Sequence, residues 1–430
     1  MKKSHDVFGI APEVLNDSYV DRGDLDRSIR SRLERKKHIA LRGESKCGKS
    51  WLRKRNIPDA IVIQCRLKTS VSDVYKNILS SLGIRLVVEQ HSKDTIKGTI
   101  SGSAEFGVKL LAKIRVSLGL ETTEEEATKY VTVGQDVNDL EFISKIIKAS
   151  GKRVVIEDFH YLDLEQRELL AYDLKALWDY ECLFVIVGVW SKSNLLTFLN
   201  TDLGGRIEEI SIHWTKDNLN EVIDQGSKAL NIKFSDEIKV RVIDDCYGNV
   251  GILQQLILNI LDEANIFEQQ SSLVNIDDIG LLDVASMNYA EQLDTHYQKF
   301  AKDVSSGIRK RNDSTGIYAH TMAVVIGTDD ITLISGLHVD EIYRLAHARQ
   351  RRIQKANLKT ILTKIEELQV DDNDRGLVLA YNESNEEITI VDKTLLFYRK
   401  YVTMSWPWEA LIREAESELS NNGPEIYTGQ

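Results

Sequence analysis

The chain has 430 residues, 42% of them hydrophobic and 28% charged, enough for two or three domains with packed cores. No apolar stretch approaches the roughly 20 residues that cross a bilayer, and the opening Met1-Lys2-Lys3-Ser4-His5-Asp6 lacks the apolar core of a secretory signal, so a cytoplasmic protein without membrane contact is expected. A net charge of −11 argues against a generic polyanion binder, and the scattered Cys47, Cys65, Cys182 and Cys246 suit a reducing compartment rather than a disulfide scaffold.

Residues 13–37 read as a helical lead-in, in which Tyr19-Val20-Asp21-Arg22 runs into Leu25, Ile29 and Leu33 at helix spacing. The apolar run His38-Ile39-Ala40-Leu41 then enters Gly43-Glu44-Ser45-Lys46-Cys47-Gly48-Lys49-Ser50, a complete G-x-x-x-x-G-K-[ST] pattern, and Trp51-Leu52-Arg53-Lys54 can continue as a helix. This strand–loop–helix context is what a phosphate-binding loop requires. Gly43 and Gly48 let the backbone turn so that its N–H groups point inward at phosphate oxygens. Lys49 would reach the β- and γ-phosphates, Ser50 would offer a hydroxyl to Mg²⁺, and the helix beginning near Gly48 aims its positive end at the same anion. No N-K-x-D-like guanine-reading motif stands in the expected place, so ATP with Mg²⁺ is the expected ligand.

Further along, Ala60-Ile61-Val62-Ile63 predicts a buried parallel strand, and residues 71–82 an amphipathic helix. Between Gly107 and Gly119, Val108, Leu110, Ala112, Ile114, Val116 and Leu118 alternate with Lys109, Lys113, Arg115 and Ser117. That period of two predicts a β-ribbon inserted near 99–120, for which an ordinary half-buried edge strand is the simpler account. An acidic, polar loop is expected at 122–128. A helix over 137–149 leads to a strand over 152–158, and a helix over 164–178 leads to the strand Leu183-Phe184-Val185-Ile186-Val187-Gly188-Val189. Strands alternating with helices predict a parallel sheet covered on both faces.

After residue 216 the pattern is helical, over 219–230, 236–246, 250–264 and 277–304. Helices over 317–325, 339–347 and 356–368 precede strands over 377–381 and 387–391, joined at Asn382-Glu383-Ser384-Asn385, which predicts a winged helix-turn-helix. The expected architecture is of the α/β class: a P-loop NTPase core over 1–215, its parallel sheet sandwiched by helices and carrying the insertion. An all-α lid with a connecting helix follows over 216–306, then a winged helix over 307–412 and a tail over 413–430.

The strand Arg153-Val154-Val155-Ile156 ends in Glu157-Asp158. One carboxylate beside Ser50 can orient Mg²⁺ and its water shell, and the next can polarise the water that attacks the γ-phosphate. His160, just beyond, could contact phosphate, but a lone histidine after a strand is more often a packing residue.

The order of these parts resembles the AAA+ branch containing origin-recognition and transposon target-selection ATPases, and the related STAND signalling NTPases. The likeness runs over roughly residues 15–400, with the phosphate loop and acidic strand as its specific part. Tyr19-Val20-Asp21-Arg22 resembles the segment that covers the adenine in that group, which implies nucleotide contacts from Val20 and Arg22, with Trp51 beside the loop. The resemblance implies that Glu157 is the Mg²⁺-side acid, where Asp is commonest, and Asp158 the water-activating acid, where Glu is commonest. Misplacing a base by ~1 Å can cost on the order of 100-fold, so slow hydrolysis is expected. Leu203-Gly204-Gly205-Arg206-Ile207 resembles the box whose arginine reaches a neighbouring subunit's γ-phosphate, implying Arg206 as an arginine finger and a homo-oligomer. Ser191 and Asn194 both stand where the polar γ-phosphate sensor is expected. The family's lid arginine is absent, its place being taken by Gly248-Asn249-Val250-Gly251-Ile252.

Residues 344–364 carry Arg344, Arg349, Arg351, Arg352, Lys355, Lys359 and Lys364 without an acid. Lys355, Lys359 and Thr363 share one face of a helix, so DNA contact through Lys355 and Lys359 is one expectation. The wing is acidic, with Asp371, Asp372, Asp374, Glu383, Glu386 and Glu387, and STAND proteins commonly use this module for autoinhibitory or protein contacts. No second catalytic constellation stands out. The expected function is an ATP-driven switch acting on a separate effector protein, and the resemblance implies a place in anti-phage defence or mobile elements, which compact prokaryotic proteins of this kind often serve. A DNA-binding initiator or target selector is the alternative, and a non-hydrolysing ATP-binding scaffold a third.

Overall fold

The computed structural model describes residues 1–92, 95–102, 109–110, 113, 130–133, 139–190, 193–307, 316–369 and 377–421. Two compact units emerge: Asp21–Gly43 with Cys47–His213, and Met1–Val20 with Glu44–Lys46 and Trp214–Gln430.

In the first unit the strands are, in chain order, β1 (His38–Arg42), β2 (Ala60–Gln64), β3 (Ile84–Ser92), β4 (Thr95–Gly102), β5 (Tyr130–Val133), β6 (Arg153–Glu157), β7 (Phe184–Gly188) and β8 (Ile207–Ser211). Five of them form a parallel sheet in the order β2-β6-β7-β1-β8. Helices α1 (Leu25–Leu33), α2 (Lys49–Asn56), α3 (Val71–Ser81), α4 (Leu140–Ser150), α5 (Leu164–Asp179) and α6 (Leu195–Leu199) accompany it. Alternate residues of one strand feed different cores. Val154 and Ile156 pack with Ile78, Phe142, Ile146 and Leu174, whereas Val155 packs with Ile39, Leu41, Leu52 and Ile210. A strand buried on both faces must be apolar throughout, which is why β6 and β7 read as continuous hydrophobic runs. Side-chain caps start the helices: Ser70 and Asp73 form a capping box at α3, and Asp139 and Asp163 accept from Phe142 and Gln166 amides at α4 and α5.

Strands β3, β4 and β5 make a separate antiparallel sheet. The ribbon expected near 99–120 coincides with the end of β4, but Lys109 and Leu110 are helical. The rest of that alternation lies outside the described residues, as does the acidic loop at 122–128.

The second unit contains α7 (Lys216–Leu230), α8 (Asp236–Asp245), α9 (Val250–Glu263) and the 28-residue α10 (Ile279–Ser306). Two three-residue strands, β9 (Ile232–Phe234) and β10 (Val274–Ile276), pair in parallel among these helices. The segment expected to be all-α therefore holds one small sheet, too short to leave an alternation that can be read. Then come α11 (Ile317–Gly327), α12 (Asp330–Ser335), β11 (Leu337–His338), α13 (Val339–Arg349), α14 (Lys355–Leu362), α15 (Ile365–Gln369), β12 (Leu379–Asn382) and β13 (Glu387–Ile390). The antiparallel order β11-β13-β12 closes the expected winged helix, followed by α16 (Thr394–Tyr401) and α17 (Pro407–Asn421).

Residues 1–20 belong to this helical unit rather than to the α/β core with which they were grouped. Val7 and Phe8 are fully buried. Gly226 makes room for the Phe8 ring, which a Cβ there would meet at 2.2 Å. Gln254 ties the segment down, accepting from the Gly9 amide at 3.1 Å and donating to the Ser18 hydroxyl at 3.0 Å. Among the described residues no helix is long and apolar enough to cross a membrane.

Candidate nucleotide site

All five strands of the main sheet run the same way, so their C-terminal ends share one edge, where open α/β sheets bind ligands. β1 enters the phosphate loop at that edge and β6 ends there in Glu157. The register brings Ala40 level with Ile186 and Ile186 level with Ile156. With β7 between them, the loop strand and the acidic strand stand two strand spacings apart, ~10 Å.

Loop geometry accounts for the glycines. A Cβ on Gly43 would lie 2.5 Å from Cys47 Sγ and 3.3 Å from Ile212 Cβ. Gly48 has φ +88°, the left-handed region in which α2 is entered without strain. Lys49 is buried and folds over the loop, its Nζ donating to the Gly43 carbonyl at 3.0 Å and lying 3.8 Å from Cys47 Sγ. Arg22 is buried beside it and donates to the Cys47 carbonyl at 3.3 Å. Ser50 is exposed and Trp51 half-buried. Val20, in contrast, is 1% exposed in the core of the helical unit.

The loop residues Glu44–Lys46, which belong to the helical unit, are braced there. Lys393 Nζ pairs with Glu44 Oε1 at 2.7 Å and donates to the Tyr247 carbonyl at 3.1 Å. Asn249 Nδ2 donates to the Ser45 carbonyl at 2.8 Å while its Oδ1 accepts from Gly251 N. Gly251 packs so closely that a Cβ would be 2.5 Å from Lys46 Cβ. Thus the stretch Gly248-Asn249-Val250-Gly251-Ile252 meets the loop with an amide and a glycine.

Two partners of the acids escaped the sequence reading. Arg53 Nε donates to Glu157 Oε1 at 2.8 Å, with the two side chains only 8% and 12% exposed. Gln64, at the end of β2 and in register with Glu157, donates from Nε2 to Asp158 Oδ2 at 2.9 Å. Asp158 itself has φ +56° and starts a short 3₁₀ turn, which turns it off the strand line. His160 accepts from the Val189 amide at 3.3 Å. Burial, with Lys49 and Arg167 nearby, pushes its pKa down to about 4, so the ring is neutral near pH 7. A polar residue two past the acids was the only signal available for it.

Asn194 is exposed, and its amide donates to Glu209 Oε2 at 3.0 Å; Glu209 also receives Trp190 Nε1 at 3.2 Å and faces Arg42 at 3.3 Å. Ser191 lies outside the described residues. Arg206 precedes β8, beside the first residue of β1, where its carbonyl accepts from His38 N at 2.9 Å. Its guanidinium lies 4.8 Å over the Trp178 ring and donates to the Asp202 carbonyl. It is therefore at the sheet edge opposite the loop, a strand length of ~15 Å away. On the winged helix, Lys355 is paired with Asp340 and Lys359 with Glu386, the latter at 2.6 Å. Asp371, Asp372 and Asp374 are not among the described residues.

The sheet, loop and acidic strand define a P-loop α/β fold carrying a helical segment and a winged helix. No protein-family model matches the chain, and no curated protein does. Among solved structures it is similar to a STAND protein with a tetratricopeptide repeat sensor from Pyrococcus horikoshii, at 12% identity over 97% of this chain and TM-score 0.37. The match covers 47% of that protein, so the chain spans about half its length. The Orc1 protein of Aeropyrum pernix, solved in complex with DNA, is similar over 95% of this chain and 98% of its own, at 9% identity and TM-score 0.39. Cdc6p of Pyrobaculum aerophilum is similar over 94% and 96%, at 11% identity and TM-score 0.32.

Proposed function

We propose that the chain is an ATP-binding, slowly hydrolysing switch of the AAA+/STAND type that assembles with copies of itself in the cytoplasm and couples nucleotide state to a separate effector, in anti-phage defence. The observation that carries this reading is the phosphate loop, with Lys49 folded onto the Gly43 carbonyl, on the same sheet edge as Glu157 and Asp158. The loop amides would bind the phosphates, and Lys49 would leave its carbonyl for the β- and γ-phosphate oxygens. Mg²⁺ suits this donor set: Ser50 is exposed at the start of α2 and Glu157 ends the acidic strand. When bound there, the cation would neutralise phosphate charge.

Asp158 is the base that orients the attacking water. Its carboxylate accepts from Gln64, so Gln64 restrains the base until the site is engaged. This restraint, with the short Asp side chain, supports slow turnover; a rate above ~10 per second, the median for enzymes, would contradict it. Arg206, a strand length from its own loop, can serve only a neighbour's site. Leaving Trp178 for that role costs roughly 0.5–1 kcal/mol of cation–π contact, which favours Arg206 engaging only in the assembled state. Size measurement with and without a slowly hydrolysed ATP analogue tests the proposal: nucleotide-dependent assembly without DNA is expected, and a monomer at all nucleotide states rejects it.

A second reading, an initiator or target selector on duplex DNA, draws on Arg349 and Arg351, both exposed on the winged helix. Lys355 and Lys359 support it less, because each already has an acidic partner. Filter binding to duplex and single strands at low salt separates the two.

A further inference from the structure

We propose that Arg53 is a positioning residue for the metal-side acid: it holds one oxygen of Glu157 and, by neutralising that carboxylate, sets how tightly the site takes a divalent cation with its nucleotide. The inference rests on the nucleotide-site reading above. Arg53 stands one helical turn after Lys49 on α2, so its position is tied to the loop. Its Nε donates to Glu157 Oε1 at 2.8 Å, with both side chains about nine-tenths buried. An exposed pair would be screened by solvent and would matter little. A nearly dry one persists, because separating it would leave a buried charge uncompensated.

The pairing also accounts for Glu where a shorter acid would suffice. The extra methylene carries the carboxylate out to Arg53, which takes Oε1. Arg53 thus fixes the rotamer of a side chain that would otherwise be too long and too mobile to serve a cation demanding near-ideal octahedral geometry. The same contact changes the electrostatics. A carboxylate alone offers a cation one negative charge, whereas a carboxylate bonded to guanidinium offers a pair of no net charge. An opposite charge at such range moves ionic equilibria by roughly one to three powers of ten. The site should therefore take Mg²⁺ weakly and chiefly when phosphate oxygens supply the missing charge.

The test is equilibrium binding of a fluorescent ATP analogue to the full chain while Mg²⁺ is titrated, read as the cation midpoint. Arg53→Gln should lower the midpoint by about tenfold or more, Arg53→Lys should leave it within about threefold of wild type, and Glu157→Gln should cancel the shift in the double variant. A midpoint that Arg53→Gln leaves within threefold, or a shift that survives Glu157→Gln, overturns the proposal. Should Arg53→Gln fail to fold by circular dichroism, Arg53→Met, which keeps an unbranched stem without the charge, replaces it, and a midpoint within threefold of wild type again overturns the idea. Wild type that binds no analogue at any Mg²⁺ concentration overturns the nucleotide reading itself, whereas binding with an unshifted midpoint removes only the role of Arg53.

Discussion

Acid should weaken this fold through His38, the first residue of the strand that feeds the phosphate loop. The ring is fully buried, with Nε2 2.8 Å from the Leu174 carbonyl and Nδ1 accepting from the Phe184 amide at 2.9 Å. Those two bonds need the neutral ring protonated on Nε2. Burial pushes the pKa from 6.5 down to about 4. The folded state therefore binds fewer protons than the unfolded chain, and stability present above pH 6.5 is lost as pH falls from 6.5 through 4. With those two values, linkage gives a loss of ~2.5 kcal/mol at pH 4.5 relative to pH 7.5. His38→Gln keeps a donor and an acceptor but does not titrate. Urea unfolding of both proteins should show the variant less stable by roughly 1–2 kcal/mol at pH 7.5. The gap should close, and then reverse, by ~2.5 kcal/mol as pH approaches 4.5. His160 titrates in both proteins and cancels from the difference. A gap constant within ~0.5 kcal/mol across this range, the usual additivity error, would refute the argument.

Lys49→Ala should weaken nucleotide affinity by ~100-fold or more, measured by calorimetry, since its charge is placed for phosphate. Asp158→Asn should hold nucleotide within about threefold yet slow hydrolysis by ~100-fold. Gln64→Ala, which releases Asp158, should raise the basal rate severalfold, and a fall in rate would show that Gln64 positions the base rather than restraining it. Arg206→Ala should leave nucleotide affinity unchanged but slow hydrolysis by ~10³-fold in assembled protein; an equal loss in the monomer would place its role elsewhere. If DNA binds the winged helix, Arg351→Glu should lower affinity and the salt slope, whereas Lys359→Glu should do so less because Glu386 already neutralises Lys359.

Much of the fold was legible because its signals are local. The octapeptide at 43–50 needs only its own glycines, lysine and serine, and the strands at 153–157 and 184–188 announce themselves as apolar runs, whereas the equally apolar run at 60–64 is an edge strand buried only at Ile61 and Ile63. The helices and hairpin of the winged module follow from periodicity and a polar turn, although α12 and α16 did not, being short or lacking a clear apolar stripe.

Sequence by itself therefore determined the phosphate loop, the acidic strand end and the order of the modules, since each depends on residues close together in the chain. Tertiary structure alone decided what surrounds them. Only the sheet order inserts β7 between β1 and β6, sets Gln64 against Asp158 across 94 residues and brings Arg53 to Glu157 across 104. It likewise assigned Met1–Val20 to the helical unit, and gave Lys355 and Lys359 acidic partners. A side chain's role is set by the charge and burial it meets after folding, and residues this far apart become neighbours only when strands pair and helices pack.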